Sequence, residues 1–279
     1  MKFLSKLEER WAKSDSLLCV GLDPQLDRLP AHFRGIKFPY LEFCKAIVRA
    51  THESVCAFKP QAAYFSAVGV EDELEKLIRF IKEEHPAIPV ILDAKRGDIG
   101  STAALYAKEA YERYDADAVT VSPYLGLESI EPYMRYIDKG IVVLCRTSNP
   151  GSDWLQKNPR DSVPVYQRVA SQVVEWNSND QFVLVTGATY PEELGKVREL
   201  VGDMPLLVPG VGAQGGDIEQ VLRNGLNGRG EGLIISSSRE ILFAHENSDL
   251  PKGTSTFLEA SMYKARYTKN FINEVKSGI

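Results

Sequence analysis

Pro89-Val-Ile-Leu-Asp93-Ala-Lys95-Arg-Gly-Asp98-Ile-Gly-Ser-Thr102 passes from a short apolar run into a cluster of charges and then into a glycine-containing loop. The run is too short for a buried helix and is flanked by polar residues, so it reads as a strand. Similar β-rich runs recur at Leu17–Leu22, Ala57–Lys59, Ala118–Val121, Ile141–Cys145, Phe182–Thr186, Leu206–Val208 and Leu233–Ile235. Between them lie helical patterns: Leu74, Leu77, Ile78 and Ile81 follow one face of a 3.6-residue period, as do Tyr166, Val169, Ala170, Val173 and Val174. About eight strands alternating with amphipathic helices predict a parallel sheet covered by helices, and their number favours a closed (β/α)8 TIM barrel over an open doubly wound sheet.

The chain has 279 residues, 44% of them hydrophobic, which is enough to bury one barrel-sized core. No Pro/Gly/Ser linker or block of charge divides it, so a single domain spanning residues 1–279 is expected. The formal net charge of -5 leaves no basic tail for nucleic acid or anionic lipid, and an anionic ligand must be held by local groups. Cys19, Cys44, Cys56 and Cys145 are scattered, without a paired spacing or nearby histidines. They read as reduced core residues rather than metal ligands or disulfides. His32, His52, His85 and His245 show no metal spacing, and Trp11, Trp154 and Trp176 read as packing residues. Glu8, Glu9 and Arg10 interrupt the N-terminal segment, unlike a signal peptide, and no apolar run reaches the ~20 residues of a bilayer span. A soluble, cytoplasmic protein is the expectation.

In a β/α barrel the groups that do chemistry sit at the C-terminal ends of the strands and in the loops beyond them. Taken in order, those positions hold Asp23 after the first strand, Lys59 closing the second, Asp93, Lys95 and Asp98 at the third, and Ser148 after the fifth. Pro209-Gly-Val-Gly-Ala-Gln214-Gly-Gly follows the seventh and Ser236-Ser-Ser-Arg239 the eighth. The irregular stretch Thr147–Ser162 is long enough to suggest a functional loop or lid.

Period-2 alternation points Asp93 and Lys95 to one side of their strand. Charges are seldom buried unless paired, so Lys59, Asp93, Lys95 and Asp98 at one mouth suggest an alternating acid/base network. The competing reading, a structural ion-pair network capping the barrel, does not account for the Gly97, Gly100 and Ser101-Thr102 loop that follows.

The run Asp93-Ala-Lys95-Arg-Gly-Asp98-Ile-Gly-Ser-Thr102 resembles the signature of orotidine 5'-phosphate decarboxylases, particularly their longer bacterial branch. Gly21-Leu-Asp23-Pro, Phe58-Lys59-Pro, Thr147-Ser-Asn-Pro-Gly151, Gly187-Ala-Thr-Tyr-Pro191 and Pro209-Gly-Val-Gly-Ala-Gln-Gly-Gly216 fall in that family's order, so the resemblance covers almost the whole chain. It implies a cofactor-free enzyme of pyrimidine nucleotide synthesis that converts orotidine 5'-monophosphate to uridine 5'-monophosphate. Lys59, Asp93, Lys95 and Asp98 would form its catalytic network, with Lys95 stabilising and protonating the C6 carbanion. The resemblance also implies a homodimer in which Asp98 and Thr102 reach into the neighbouring subunit's site. Asp23 would bind the ribose and Ser148 the pyrimidine edge. It assigns no role to Arg96.

Gly210, Gly212 and Gly215 match a dinucleotide-binding G-x-G-x-x-G spacing, but that fingerprint belongs after the first strand of its unit, not the seventh. Loops after strands seven and eight of barrels commonly bind phosphate. Pro209 and Ser238 border that region, and Arg239 could fork onto phosphate oxygens as a lysine could not. By the resemblance, Gln214 and Arg239 grip the phosphate, and Gln214 also reaches toward the base. Ser237-Ser238 stand where the shorter branch of the family has glycine.

Two alternatives differ in chemistry. Magnesium-dependent hexulose-phosphate synthases and keto-gulonate-phosphate decarboxylases share a related Asp-x-Lys-x-x-Asp pattern, although the Arg-Gly-Asp-Ile-Gly-Ser-Thr continuation favours the nucleotide enzymes. A catalytically silent barrel would bind a nucleotide without turning it over, but it would not need both Lys59 and Lys95.

Overall fold

Eight parallel strands occupy the eight apolar runs: β1 (Leu18–Leu22), β2 (Ala57–Pro60), β3 (Ile91–Arg96), β4 (Ala118–Val121), β5 (Gly140–Arg146), β6 (Phe182–Thr186), β7 (Leu206–Pro209) and β8 (Leu233–Ser237). The computed structural model describes residues 1–160, 162–211, 217–247, 250–251, 254 and 256–279. Each strand pairs with its sequence neighbours. β1 lies between β2, with Cys19 opposite Ala57, and β8, with Leu18 opposite Ile235. Parallel bridges from Phe58 to Val90 and from Gln61 to Asp93 join β2 to β3 and close the ring. This is the expected (β/α)8 TIM barrel, and the strands are mostly apolar, with charges confined to their C-terminal ends, because both of their faces are buried over most of their length.

Helices α1 (Phe3–Ser14), α2 (Pro39–Thr51), α3 (Glu71–Glu84), α4 (Gly100–Lys108), α5 (Val165–Trp176), α6 (Pro191–Val201), α7 (Ile218–Gly225) and α8 (Phe257–Ser277) surround it. On α3 the predicted face of Leu74, Leu77, Ile78 and Ile81 is wholly buried. On α5, Tyr166, Ala170 and Val173 are buried but Val174 is 42% exposed, since one further residue turns ~100° around the helix and out of the stripe. Between β4 and β5, with Gly126 and Pro132 interrupting the segment, the connection is made only by the turns Leu127–Ser129 and Glu131–Met134. α8 begins at a capping box: Thr256 Oγ1 accepts from the Glu259 N–H at 3.2 Å, and the Glu259 carboxylate accepts from the Thr256 N–H at 3.0 Å.

All four cysteines are free and buried. Burial pushes the Cys19 thiol up to about 12, against the pull of Lys59. Among the described residues no helix is long and apolar enough to cross a membrane, and no group of three or more His, Cys, Asp or Glu side chains could hold a metal ion.

Candidate active site

At the barrel's C-terminal mouth Lys59, next to last on β2, stands beside Asp93 of β3, and its Nζ lies 2.7 Å from Asp93 Oδ2. Lys95 Nζ lies 2.6 Å from Asp93 Oδ1. One carboxylate thus holds two ammonium groups, one on each oxygen. Lys59 and Asp93 are 5% and 6% exposed, whereas the Lys95 side chain is 48% exposed and free to meet a ligand. Regular strand alternation does not produce this contact. The pairing register of β3 shifts between Leu92 and Arg96, and Lys95 adopts a left-handed backbone with φ of 48°.

Burial opposes charge on both members of the buried pair, but the partners outweigh it. Lys59 is held above the usual lysine range by the charges of Asp93 and Asp23 and by its Asp93 hydrogen bond. Asp93 is held well below the usual carboxylate range by Lys59 and Lys95. Both therefore stay ionised at neutral pH.

Beside this array opens a cavity of about 410 Å³ whose lining includes Asp23, Lys59, Pro209, Ser238 and Arg239. It is bounded by the ends of β1, β2, β7 and β8, so the sequence-predicted residues from four strands converge there. Asp23 Oδ1 is buried and has no hydrogen-bond partner among the described residues, so it is an acceptor available to a ligand hydroxyl. Gly210, at φ of 92°, turns the chain away from β7 at the cavity rim in a conformation that favours glycine. Gln214 lies outside the described residues.

Ser148 lies on the loop after β5, where its carbonyl accepts from Thr189 Oγ1 at 3.0 Å, but it does not line the cavity. Asp98 is not brought to Lys59, Asp93 or Lys95 within the chain; its carboxylate accepts from the Ile99 N–H at 2.8 Å. Thr102 is exposed on the first turn of α4. Arg96 is a structural residue: it pairs with Glu109 at 2.9 Å and covers the Tyr106 ring.

Four residues escaped the sequence reading. Gln61 and Tyr64 line the cavity just beyond Lys59. Thr120 donates to Asp93 Oδ1 at 2.8 Å, and its place as the lone polar residue of Ala118–Val121 was a signal. Arg146, one residue past the apolar run predicted for β5, is fully buried. Its guanidinium pairs with Asp153 at 2.5 Å, bonds Glu193 and Ser152, and stacks over Tyr190. The loop expected to be irregular is thereby folded into the turns Pro150–Ser152 and Asp153–Gln156 and a two-residue antiparallel pairing of Pro159–Arg160 with Val163–Pro164.

A family model described as orotidine 5'-phosphate decarboxylase / HUMPS family matches residues 16–249. The chain belongs to that family. It is 54% identical over 278 residues to the orotidine 5'-phosphate decarboxylase of Ralstonia pickettii, covering 99% of this chain and 100% of that one. It is also 54% identical over 274 residues to the decarboxylase of Dechloromonas aromatica, covering 98% and 99%. Among solved structures it is similar to Leishmania donovani OMP decarboxylase, with a TM-score of 0.84 and 37% identity over 99% of this chain and 100% of that one. The Methanocaldococcus jannaschii orotidine 5'-monophosphate decarboxylase shares the barrel at a TM-score of 0.68 and 21% identity, covering 92% and 98%.

Proposed function

We propose that the chain decarboxylates orotidine 5'-monophosphate to uridine 5'-monophosphate in pyrimidine nucleotide synthesis, as a single domain acting in the cytoplasm. The observation that carries this reading is the Lys59–Asp93–Lys95 array, in which the Lys95 ammonium is exposed and Lys59 lines a polar cavity that reaches to Arg239.

Cleavage of the bond from pyrimidine C6 to the carboxylate releases carbon dioxide and leaves an electron pair on C6. Lys95 stabilises that localised charge, and its ammonium then donates a proton to C6, combining electrostatic and general-acid roles. Asp93 faces the departing carboxylate and holds Lys95. Lys59 keeps Asp93 ionised and fixed, so that the site need not reorganise as charge develops. Asp23 accepts from a ribose hydroxyl, and Ser148 contacts the pyrimidine edge. Pro209, Gln214, Ser238 and Arg239 take the phosphate end, where Arg239 supplies a bidentate fork. Binding energy at the phosphate orders the site around the reacting carbon.

The position of half-buried Asp98 and exposed Thr102, beside exposed Ile99 and Leu125, supports a homodimer in which these two residues complete the partner's site. An exposed apolar patch next to polar groups is suited to a second copy of the chain.

The test is decarboxylation of orotidine 5'-monophosphate by the purified protein in EDTA, followed as loss of substrate ultraviolet absorbance. Rapid conversion to uridine monophosphate is expected. A folded protein that converts none would redirect the assignment to the magnesium-dependent phosphosugar enzymes or to a silent nucleotide-binding barrel.

A further inference from the structure

We propose that Thr120 is a positioning residue for Lys95. Its single hydroxyl makes three contacts. It donates to Asp93 Oδ1 at 2.8 Å, the same oxygen that receives Lys95 Nζ, and it accepts from the backbone N–H groups of Ala94 and Lys95, each at 2.9 Å. Those two amides lie where the β3–β4 register shifts and Lys95 enters the left-handed region. A regular ladder would bond amides there to backbone carbonyls; here a side chain from β4 takes that place. Thr120 is 1% exposed, so no water replaces its hydroxyl without rearrangement.

The arrangement ties one backbone kink to one carboxylate rotamer. If the hydroxyl is lost, two amides lose their acceptor and Asp93 Oδ1 loses a donor, so the Lys95 backbone and the carboxylate that anchors its ammonium relax together. Thr120 does not line the cavity. It therefore acts through Lys95 and Asp93, and its loss should appear in turnover rather than in substrate affinity.

This inference rests on the proposed decarboxylase reading. Thr120→Val preserves shape and removes the hydroxyl; Thr120→Ser keeps the hydroxyl and removes the methyl. Thr120→Val should lower kcat by about a hundredfold while leaving KM within about threefold, because a displacement near 1 Å of a reacting group has an effect on that order. Thr120→Ser should restore most of kcat. Lys95→Ala is measured alongside them. Loss of turnover in Lys95→Ala with wild-type kcat in a folded Thr120→Val would overturn the positioning role alone, whereas normal turnover in Lys95→Ala would overturn the reading beneath it. Equal losses in the Ser and Val variants would also overturn the proposal, since they would report packing. If Thr120→Val does not fold, Thr120→Ala against Thr120→Ser makes the same comparison.

Discussion

Lys95 reaches Asp93, two residues earlier on the same strand, through a left-handed backbone: its φ is 48°, and the two side chains meet at 2.6 Å. A non-glycine residue in that region costs about 1–2 kcal/mol, and such strain persists only where the surroundings impose it. Lys95→Ala and Lys95→Gly should both lower kcat by about 10⁴-fold, since each removes the ammonium. They should differ in stability. Glycine relieves the strain but loses about 0.5–1 kcal/mol through unfolded-chain entropy, leaving Lys95→Gly the more stable by about 0.5 kcal/mol. Urea midpoints check the order, and an alanine variant more stable than the glycine variant would contradict the strain assigned to this residue.

Gly187 sets the position of Ser148. A Cβ at Gly187 would stand 2.6 Å from Ser148 Cα and 2.7 Å from its backbone nitrogen, so the obstacle is backbone and cannot rotate aside. Gly187→Ala should displace Ser148, lowering kcat/KM about tenfold or more and stability by about 1–3 kcal/mol. Steady-state kinetics and thermal melts decide it. Wild-type values for both would mean that the β5 and β6 loops accommodate the methyl and that Ser148 is not held at this contact.

The barrel was legible because eight apolar runs and the helical stripes between them record burial directly, as the wholly buried face of α3 illustrates. The mouth residues were legible because strand ends in a closed parallel barrel face one side. The Asp93–Lys95 contact was anticipated from alternation but is made by a register shift, which depends on the Thr120 hydroxyl and leaves no period in the sequence. Arg146 was hidden for a similar reason. Its partners Asp153 and Glu193 come from two different connections, so only the folded chain shows why a charge follows the apolar run of β5.

The buried pair fixes an acid dependence of stability. Asp93 has a folded pKa below its unfolded value, so its contribution is fully present above the ordinary carboxylate value of about 3.9 and is lost as pH falls toward the folded value. Lys59, with a raised folded pKa, contributes below about 10.4 and loses that contribution only as pH rises through its folded value. Asp93→Asn leaves the Lys59 ammonium buried without its carboxylate and should cost about 3 kcal/mol at pH 7. The gap from wild type should narrow as pH falls below about 4, where the wild-type carboxylate begins to lose its own advantage. Denaturant midpoints at pH 7 and pH 3.5 measure this; a gap that widens in acid would contradict the assignment of Asp93 as the depressed group.

Arg146 ties the loop after β5 to α6, and its geometry distinguishes a guanidinium from any other cation. It is fully buried, and despite the opposing effect of burial the hydrogen bonds of Glu193 and Asp153 hold its pKa above the usual value. The fork divides between two carboxylates on different segments while its Cζ lies 3.7 Å from the centroid of the Tyr190 ring. A lysine ammonium has the charge but neither the fork nor the flat face. Arg146→Lys should therefore behave as a disruption, costing about 3 kcal/mol because the buried ammonium cannot meet Glu193, Asp153 and Ser152 together. Because these partners order the turns Pro150–Ser152 and Asp153–Gln156, the loss should be local first. Hydrogen exchange should accelerate across residues 147–156 while the amides of β1 and β8 remain protected. Exchange that rose equally in all strands would make Arg146 a general core residue. Unchanged exchange in the loop would mean that Ser148 is held by the Gly187 and Thr189 contacts alone.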